Sequence, residues 1–513
     1  MKLFHSTLFT LFFLLQIGSI QGQTSLKRLN LDNGNYAVGF KHYIAVDSTR
    51  TYQKRDDYNN YLMHRPIPIS VWYPAEKNGN TVEPLVLLNY LEVLKEEEEW
   101  EHLPNEYLLQ WFHYLWDTPE NRAHLPEKTN AYPNALAMGE KFPVIVYTPS
   151  YLASSIENFA LCEYLASHGY FVISSPSRGT ETRWLEGGTT KDMETQSKDV
   201  EFLLKEIYNF ENADSDTIAL MGFSFGGLSN ALTVMKNGHI KALVSLDGTE
   251  RYRYDVLEKS AYFNSDRFTI PYIHFAQKEI PQNVLEEDKI PEELNYRYQL
   301  YDSLSYSDRY SYRFHDLSHA FFSSYGVIFG NRDKRQDKSD DKIMVSYKLL
   351  SQHVLQFLNA HLKGNANATA YIENSPKQNG FSESLITKKM KKASPQPYTY
   401  RDFMDIAYQR NFDGLIPLYQ KTVKEHPDFQ IPEVVLNKLG LQLAFHPATG
   451  AAGIKVFQLA LHLYPDSANL YDSLGTSYFY NDDAKNARVS FKKSLELDAD
   501  NQHAIDKLKL LKE

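Results

Sequence analysis

The stretch Ile218-Ala-Leu-Met-Gly-Phe-Ser-Phe-Gly-Gly-Leu228 decides how the rest of the chain is read. A short apolar run, Ile218 to Met221, leads into Gly222-Phe-Ser224-Phe-Gly226, and Leu228 to Met235 carries apolar residues at helical spacing. G-x-S-x-G between a strand and a helix is the pattern of a serine held on a sharp strand-to-helix turn. With no Cβ at Gly222 or Gly226, strand and helix can crowd against that turn. The hydroxyl of Ser224 then stands exposed, and the N–H groups that follow sit at a helix N-terminus, where negative charge is favoured. A plain glycine-rich turn carries the same letters. The flanking strand and helix argue against it.

Outward from this turn, short β-branched runs alternate with helical spacing. Phe142–Tyr147, Gly169–Ser174, Thr217–Gly222, Ile240–Leu246, Thr269–Phe275 and Tyr310–Phe314 read as strands. Asn158–His168, Asp199–Phe210 and Leu228–Lys236 read as helices between them. Such alternation implies an α/β fold with a mostly parallel sheet covered on both faces. Ligands then bind outside the carboxyl ends of the strands. Ahead of it, Tyr36–Phe40, Tyr43–Val46 and Pro66–Pro74 alternate apolar and polar residues, as leading antiparallel strands would.

Residues 76–140 read as a helical insertion punctuated by Pro104, Pro119, Pro126 and Pro133. It is either a lid over a cleft or an excursion that packs Trp111, Leu115 and Trp116 onto the body. Residues 24–363 form the first domain and 364–400 a linker. Residues 401–513 form an all-α domain with an internal repeat. Leu439, Gly440, Phe457 and Ala460 recur as Leu474, Gly475, Phe491 and Ser494, with 35 residues between the glycines and 34 between the phenylalanines. That is similar to the tetratricopeptide pattern and implies a protein partner for the repeats.

Composition narrows the class. Of 513 residues, 42% are hydrophobic and 23% charged, which suits a globular protein. The net charge of −10 excludes a nucleic-acid binder. Residues 1–22 read as a cleaved signal peptide, with Lys2 before the apolar Leu8–Leu15, which is too short to hold the chain stably in a bilayer. Cys162 is the sole cysteine, so no internal disulfide exists. An exported chain without disulfides points to a bacterial secreted or periplasmic protein.

A serine hydroxyl needs an imidazole as base, and the imidazole needs a carboxylate to fix its tautomer. On this kind of sheet the chain order is serine, acid, histidine. Asp247 closes the Ile240–Leu246 strand in Leu-Asp-Gly248, with Glu279 as the competing acid. His319, in Leu317-Ser-His-Ala-Phe-Phe322, follows the last strand, and His315 lies four residues earlier. That spacing also fits a metal pair, but H-E-x-x-H is absent and no metal or cofactor is expected.

Pro66-Ile-Pro-Ile-Ser-Val-Trp-Tyr-Pro74, Leu165-Ala-Ser-His-Gly-Tyr170, Gly222-Phe-Ser-Phe-Gly-Gly227 and Leu246-Asp-Gly248 resemble the platelet-activating-factor acetylhydrolase and dienelactone-hydrolase-like group of α/β hydrolases. The resemblance implies Ser224 as nucleophile, Asp247 as acid and His319 as base. It places the oxyanion donors at the N–H of Phe225 and at or near Tyr151. The loop Thr148-Pro-Ser-Tyr-Leu152 stands where that group usually carries His-Gly. The activity it implies is that of an exported serine esterase on short-chain or phospholipid-type esters. The competing readings are an acyl-sugar esterase or peptidase on the same scaffold, and a decayed hydrolase whose repeats bind a partner.

Overall fold

In the computed structural model the structure describes residues 24–55, 60–77, 82–111, 116–446 and 448–511. The signal-peptide reading falls outside them, as does Leu115. The chain divides into two compact units, one ending at Ser394 and the other starting at Pro395.

The first unit is built on one sheet of ten strands. They are β1 (Ala37–Arg55), β2 (Asn60–Ala75), β3 (Ala131–Pro133), β4 (Phe142–Thr148), β5 (Phe171–Ser174), β6 (Ala213–Phe223), β7 (Ile240–Leu246), β8 (Tyr272–Ala276), β9 (Arg309–Phe314) and β10 (Ile386–Lys391). Their order is β10-β9-β8-β7-β6-β4-β5-β2-β1-β3. Strands β5, β4, β6, β7, β8 and β9 run parallel, β2 pairs antiparallel with β1 and β5, and β10 pairs antiparallel with β9. This is an α/β-hydrolase-like sheet.

Period-two alternation sends successive residues of β4 into different cores. Ile145 and Tyr147 pack with Phe159, Leu161 and Leu350, from helices Phe159–Ser167 and Asp340–Leu362. Val144 and Val146 pack with Met193, Leu228 and Leu232, from helices Thr190–Glu206 and Phe225–Lys236. All of these side chains are fully buried. Truncating a phenylalanine such as Phe159 to alanine in such a core costs about 3–5 kcal/mol.

Four readings of the sequence need correction. Tyr36–Phe40 and Tyr43–Val46 are not separate strands but parts of β1, whose ladder with β2 shifts register only between Asp47 and Thr51. The helix expected from Asp199 begins at Thr190, because Thr189 and Asp192 form a reciprocal capping box there. The expected linker 364–400 is mostly ordered into the first unit. Helix Ala366–Glu373 starts at the Asn365 cap, and β10 extends the sheet. Finally, Trp111 and Trp116 do not pack onto the body, being 57% and 61% exposed. The insertion is held instead by helix Leu87–Glu97. Its Tyr90 and Leu94 are fully buried, and Tyr90 Oη accepts the Trp72 indole N–H at 2.7 Å while donating to Glu163 at 2.8 Å.

The second unit is helical, from Tyr400–Gln409 to Gln502–Leu510. Gly440 lies against the ring of Phe457, and Gly475 against the ring of Phe491, so closely that a Cβ would sit 2.5 and 2.7 Å from ring carbons. The same helix-to-helix contact therefore recurs one unit later. Across the described residues, no helix is long and apolar enough to cross a membrane.

Candidate active site

Ser224 stands between β6 and helix Phe225–Lys236 with φ +51° and ψ −119°, a strained conformation for a side-chain-bearing residue. The two neighbouring glycines make the turn possible. A Cβ on Gly222 would lie 2.5 Å from the Gly226 carbonyl, and one on Gly226 would lie 2.0 Å from the Thr148 carbonyl oxygen. The turn is also tied down by its backbone: Ser224 N–H donates to Leu246 O at 3.1 Å, and Ser224 O accepts Thr249 N–H at 2.8 Å.

The structure brings Ser224, Asp247 and His319 together. His319 Nε2 is 2.9 Å from Ser224 Oγ, and His319 Nδ1 is 2.6 Å from Asp247 Oδ2. Asp247, at φ +41° beyond β7, is fully buried, while the His319 side chain is 42% exposed and open to the cleft. Burial drives the Asp247 carboxyl upward, but the hydrogen bond and charge of His319, with the charge of Arg251, outweigh it. The carboxyl is held below the ordinary Asp range and stays ionised, as a group orienting an imidazole must. The imidazole ring also lies against Phe223, with centroids 5.1 Å apart.

Two residues that no motif marks hold this acid and base in register. Tyr252 Oη donates to Asp247 Oδ1 at 2.8 Å. Gln277, just past β8, makes three bonds: its N–H donates to Asp247 Oδ1 at 3.0 Å, its Nε2 to Tyr252 Oη at 3.0 Å, and its Oε1 accepts the His319 N–H at 3.1 Å. A polar residue directly after the strand next to the acid was the only available signal. Glu279, the competing acid, is 73% exposed and paired with Arg313 at 2.8 Å. His315 is turned away to Thr387 Oγ1 at 3.1 Å. No group of three or more metal-ligating side chains gathers among the described residues.

The opposite wall is the loop after β4. Phe225, the first residue of its helix, has an N–H with no intrahelical acceptor. Tyr151 packs its ring edge-on against Phe225, centroids 5.8 Å apart, and its Oη accepts the Gly187 N–H at 3.0 Å. That loop rests on a buried carboxyl, Glu157, which accepts Ser150 N–H at 2.9 Å, Ser150 Oγ at 2.5 Å and Tyr147 Oη at 3.2 Å. Burial pushes Glu157 up to about 7, against the pull of these donors and of the His319 charge. Glu97, at the end of helix Leu87–Glu97, accepts from Ser154 and Ser155 on the same loop and is likewise pushed up to about 7 by burial. Arg178 donates to the Glu96 and Glu97 carbonyls, and Arg183 to Glu98, so cations close the C-terminal end of that helix. The insertion is thereby joined to the rim of the site.

This geometry can perform acyl transfer. An imidazole on a buried carboxylate can accept the serine proton, and backbone N–H groups at the elbow can hold an oxyanion.

Residues 158–276, a minority of the chain, match the family model of the prolyl oligopeptidase family. A solved ferulic acid esterase from Streptomyces cinnamoneus is similar at 17% identity and a TM-score of 0.48, covering 69% of this chain and 96% of that one. No curated protein matches the sequence. The matched segment runs from the helix after the β4 loop through the serine elbow and Asp247 to the end of β8. The fold is α/β-hydrolase-like. Its triad and that match together support a serine hydrolase.

Proposed function

We propose that the chain is an exported serine carboxylic-ester hydrolase, resembling platelet-activating-factor acetylhydrolases and acting on short-chain or phospholipid-type esters. The observation that carries the reading is the continuous path Ser224 Oγ–His319–Asp247 at 2.9 and 2.6 Å. His319 Nε2 takes the serine proton as Oγ attacks the ester carbonyl. The Phe225 N–H, with a second donor from the loop at Tyr151, holds the oxyanion. The proton passes to the leaving alkoxide, and water activated by His319 releases the acid from Ser224. The chain is exported through its 22-residue leader to a secreted or periplasmic location, and its tetratricopeptide-like repeats engage a protein partner.

A peptidase on the same triad is the second reading, favoured by the prolyl oligopeptidase family match over residues 158–276. One experiment separates them. The purified protein is labelled with a fluorophosphonate, beside Ser224→Ala and His319→Ala, and then assayed on p-nitrophenyl esters and on prolyl p-nitroanilides. Labelling lost in both variants with turnover of esters alone supports the esterase. Turnover of anilides at comparable kcat/KM moves the chain to the peptidases, and a folded protein that takes no label sinks both.

A further inference from the structure

Beside the catalytic cleft, a cavity of about 560 Å3 opens along the β9–β10 edge of the sheet. That volume suits a small-molecule ligand. Its floor is one face of β9 and β10. The register pairs Arg313 with Thr387 and Ser311 with Lys389, so these four share a face by period two. Its wall is the segment Asn295–Asp302, with Tyr296, Tyr298 and Tyr301, closed at the back by Arg251.

The charge in this cavity is unbalanced. Two of its cations are matched by carboxylates: Arg313 by Glu279 at 2.8 Å and Lys391 by Asp302 at 2.5 Å. Lys388 is committed elsewhere, donating to the Ile372, Glu373 and Asn374 carbonyls at the end of helix Ala366–Glu373. Lys389 has no carboxylate partner among the described residues, and Arg251, only 7% exposed, forms no ion pair there and feels a carboxylate only through the charge of Asp247. Its neighbour Glu250 is turned inward, accepting from Tyr272 Oη at 2.7 Å and from Ser245. Arg251 donates to the Leu294 and Asn295 carbonyls at 2.9 Å, and Arg313 donates to that same Asn295 carbonyl. Two guanidinium groups therefore converge on one oxygen. Like charges held that close repel one another, and an anion set between them relieves that repulsion.

We infer that this cavity is a binding site for a small oxyanion, a carboxylate or a phosphate, carried on a body that lies against the tyrosine wall. The two guanidinium groups take the oxyanion, as planar forks suited to bidentate pairing, and Lys389 stands at the mouth as a further cation. Arg251 also bears on Asp247, so the site adjoins the triad, and its binding is tested without the ester chemistry.

The test uses full-length Ser224→Ala protein, so that turnover plays no part. Calorimetric titrations are run with phenyl phosphate and with benzoate at fixed ionic strength, with sodium chloride as the control. Saturable binding of either ligand, weakened tenfold or more in Arg313→Gln and about threefold in Lys389→Glu, is the expected result. The phosphate-to-benzoate preference then names the ligand class. Lys389 is exposed and bears on no core contact, so its variant folds even if the arginine variant does not. Absence of saturable binding by both probes, or binding that Lys389→Glu leaves unchanged, overturns the proposal.

Discussion

Ser224 sits between two buried carboxyl groups that the protein treats in opposite ways. Asp247, on the β7 side, is kept charged; Glu157, on the β4 side, is pushed up to about 7. Both are buried and both accept three or more hydrogen bonds. The difference lies in the donors. Asp247 faces an imidazole that can carry charge, with Arg251 behind it, whereas Glu157 is met by two hydroxyls and one amide and feels His319 only at a distance. In a low-dielectric setting, neutral donors offset only part of the burial cost of a carboxylate, and a cationic partner is needed for the rest. The lesson is that hydrogen-bond count does not set ionisation; the charge of the donor does.

The comparison breaks most sharply at Asp247. Asp247→Asn keeps the shape but presents the wrong partner to His319 Nδ1, and kcat is expected to fall about ten-thousandfold with an unchanged melting profile. Steady-state kinetics beside thermal unfolding check it; a loss under tenfold would move the acid elsewhere. Gln277→Ala removes one contact to Tyr252 and one to the backbone of His319, and is expected to lower kcat about tenfold to a hundredfold with KM little changed.

On the other wall the expected effect is smaller and depends on pH. Above about 7, Glu157 ionises beneath the loop where the oxyanion forms, so kcat is expected to fall about fivefold between pH 7 and 9. Glu157→Gln should hold its plateau across that range. Glu97 and Glu163 share the upward shift to about 7. A carboxyl raised in the folded state binds a proton that the unfolded chain has released, so stability is full below about pH 4.5 and drains away as pH rises to about 7. Each group accounts for up to about 3 kcal/mol of that loss. Thermal unfolding at pH 5 and pH 8 measures it, and Glu163→Gln should narrow the difference by about a third while leaving the rate alone. Smallest of all, Glu279→Gln is expected to change kcat/KM less than about twofold, since it only meets Arg313 at the surface.

Much of this was legible because strand, turn and helix each leave their own period in a sequence. β7 spans the same Ile240–Leu246 that its apolar run suggests, and the acid is the residue that follows. The helix over Asn158–His168 is found within one residue at each end. What stayed hidden is polar or non-local. β10 reads Ile-Thr-Lys-Lys-Met-Lys, because a strand with one partner and one wet face needs little apolar sequence. The front half of helix Thr190–Glu206 is polar, so periodicity missed it while the Thr189–Asp192 cap was there to see. Tyr252 and Gln277 act on Asp247 through contacts 5 and 30 residues apart, which spacing alone cannot reveal. The prolines and tryptophans of 76–140 announced an insertion, but its attachment runs through Glu97, Arg178 and Arg183, charged residues that read as surface.

The sheet has two raw margins, and they are finished differently. β3 is three residues long and ends at Pro133, which lacks a donor. β10 carries Lys388, Lys389 and Lys391, with Lys392 beside it. A second copy zipping onto β10 would bring these lysines face to face, and one zipping onto β3 would find too few amides to grip. At these two margins, a ten-stranded sheet without a single disulfide offers an incoming strand little to hold.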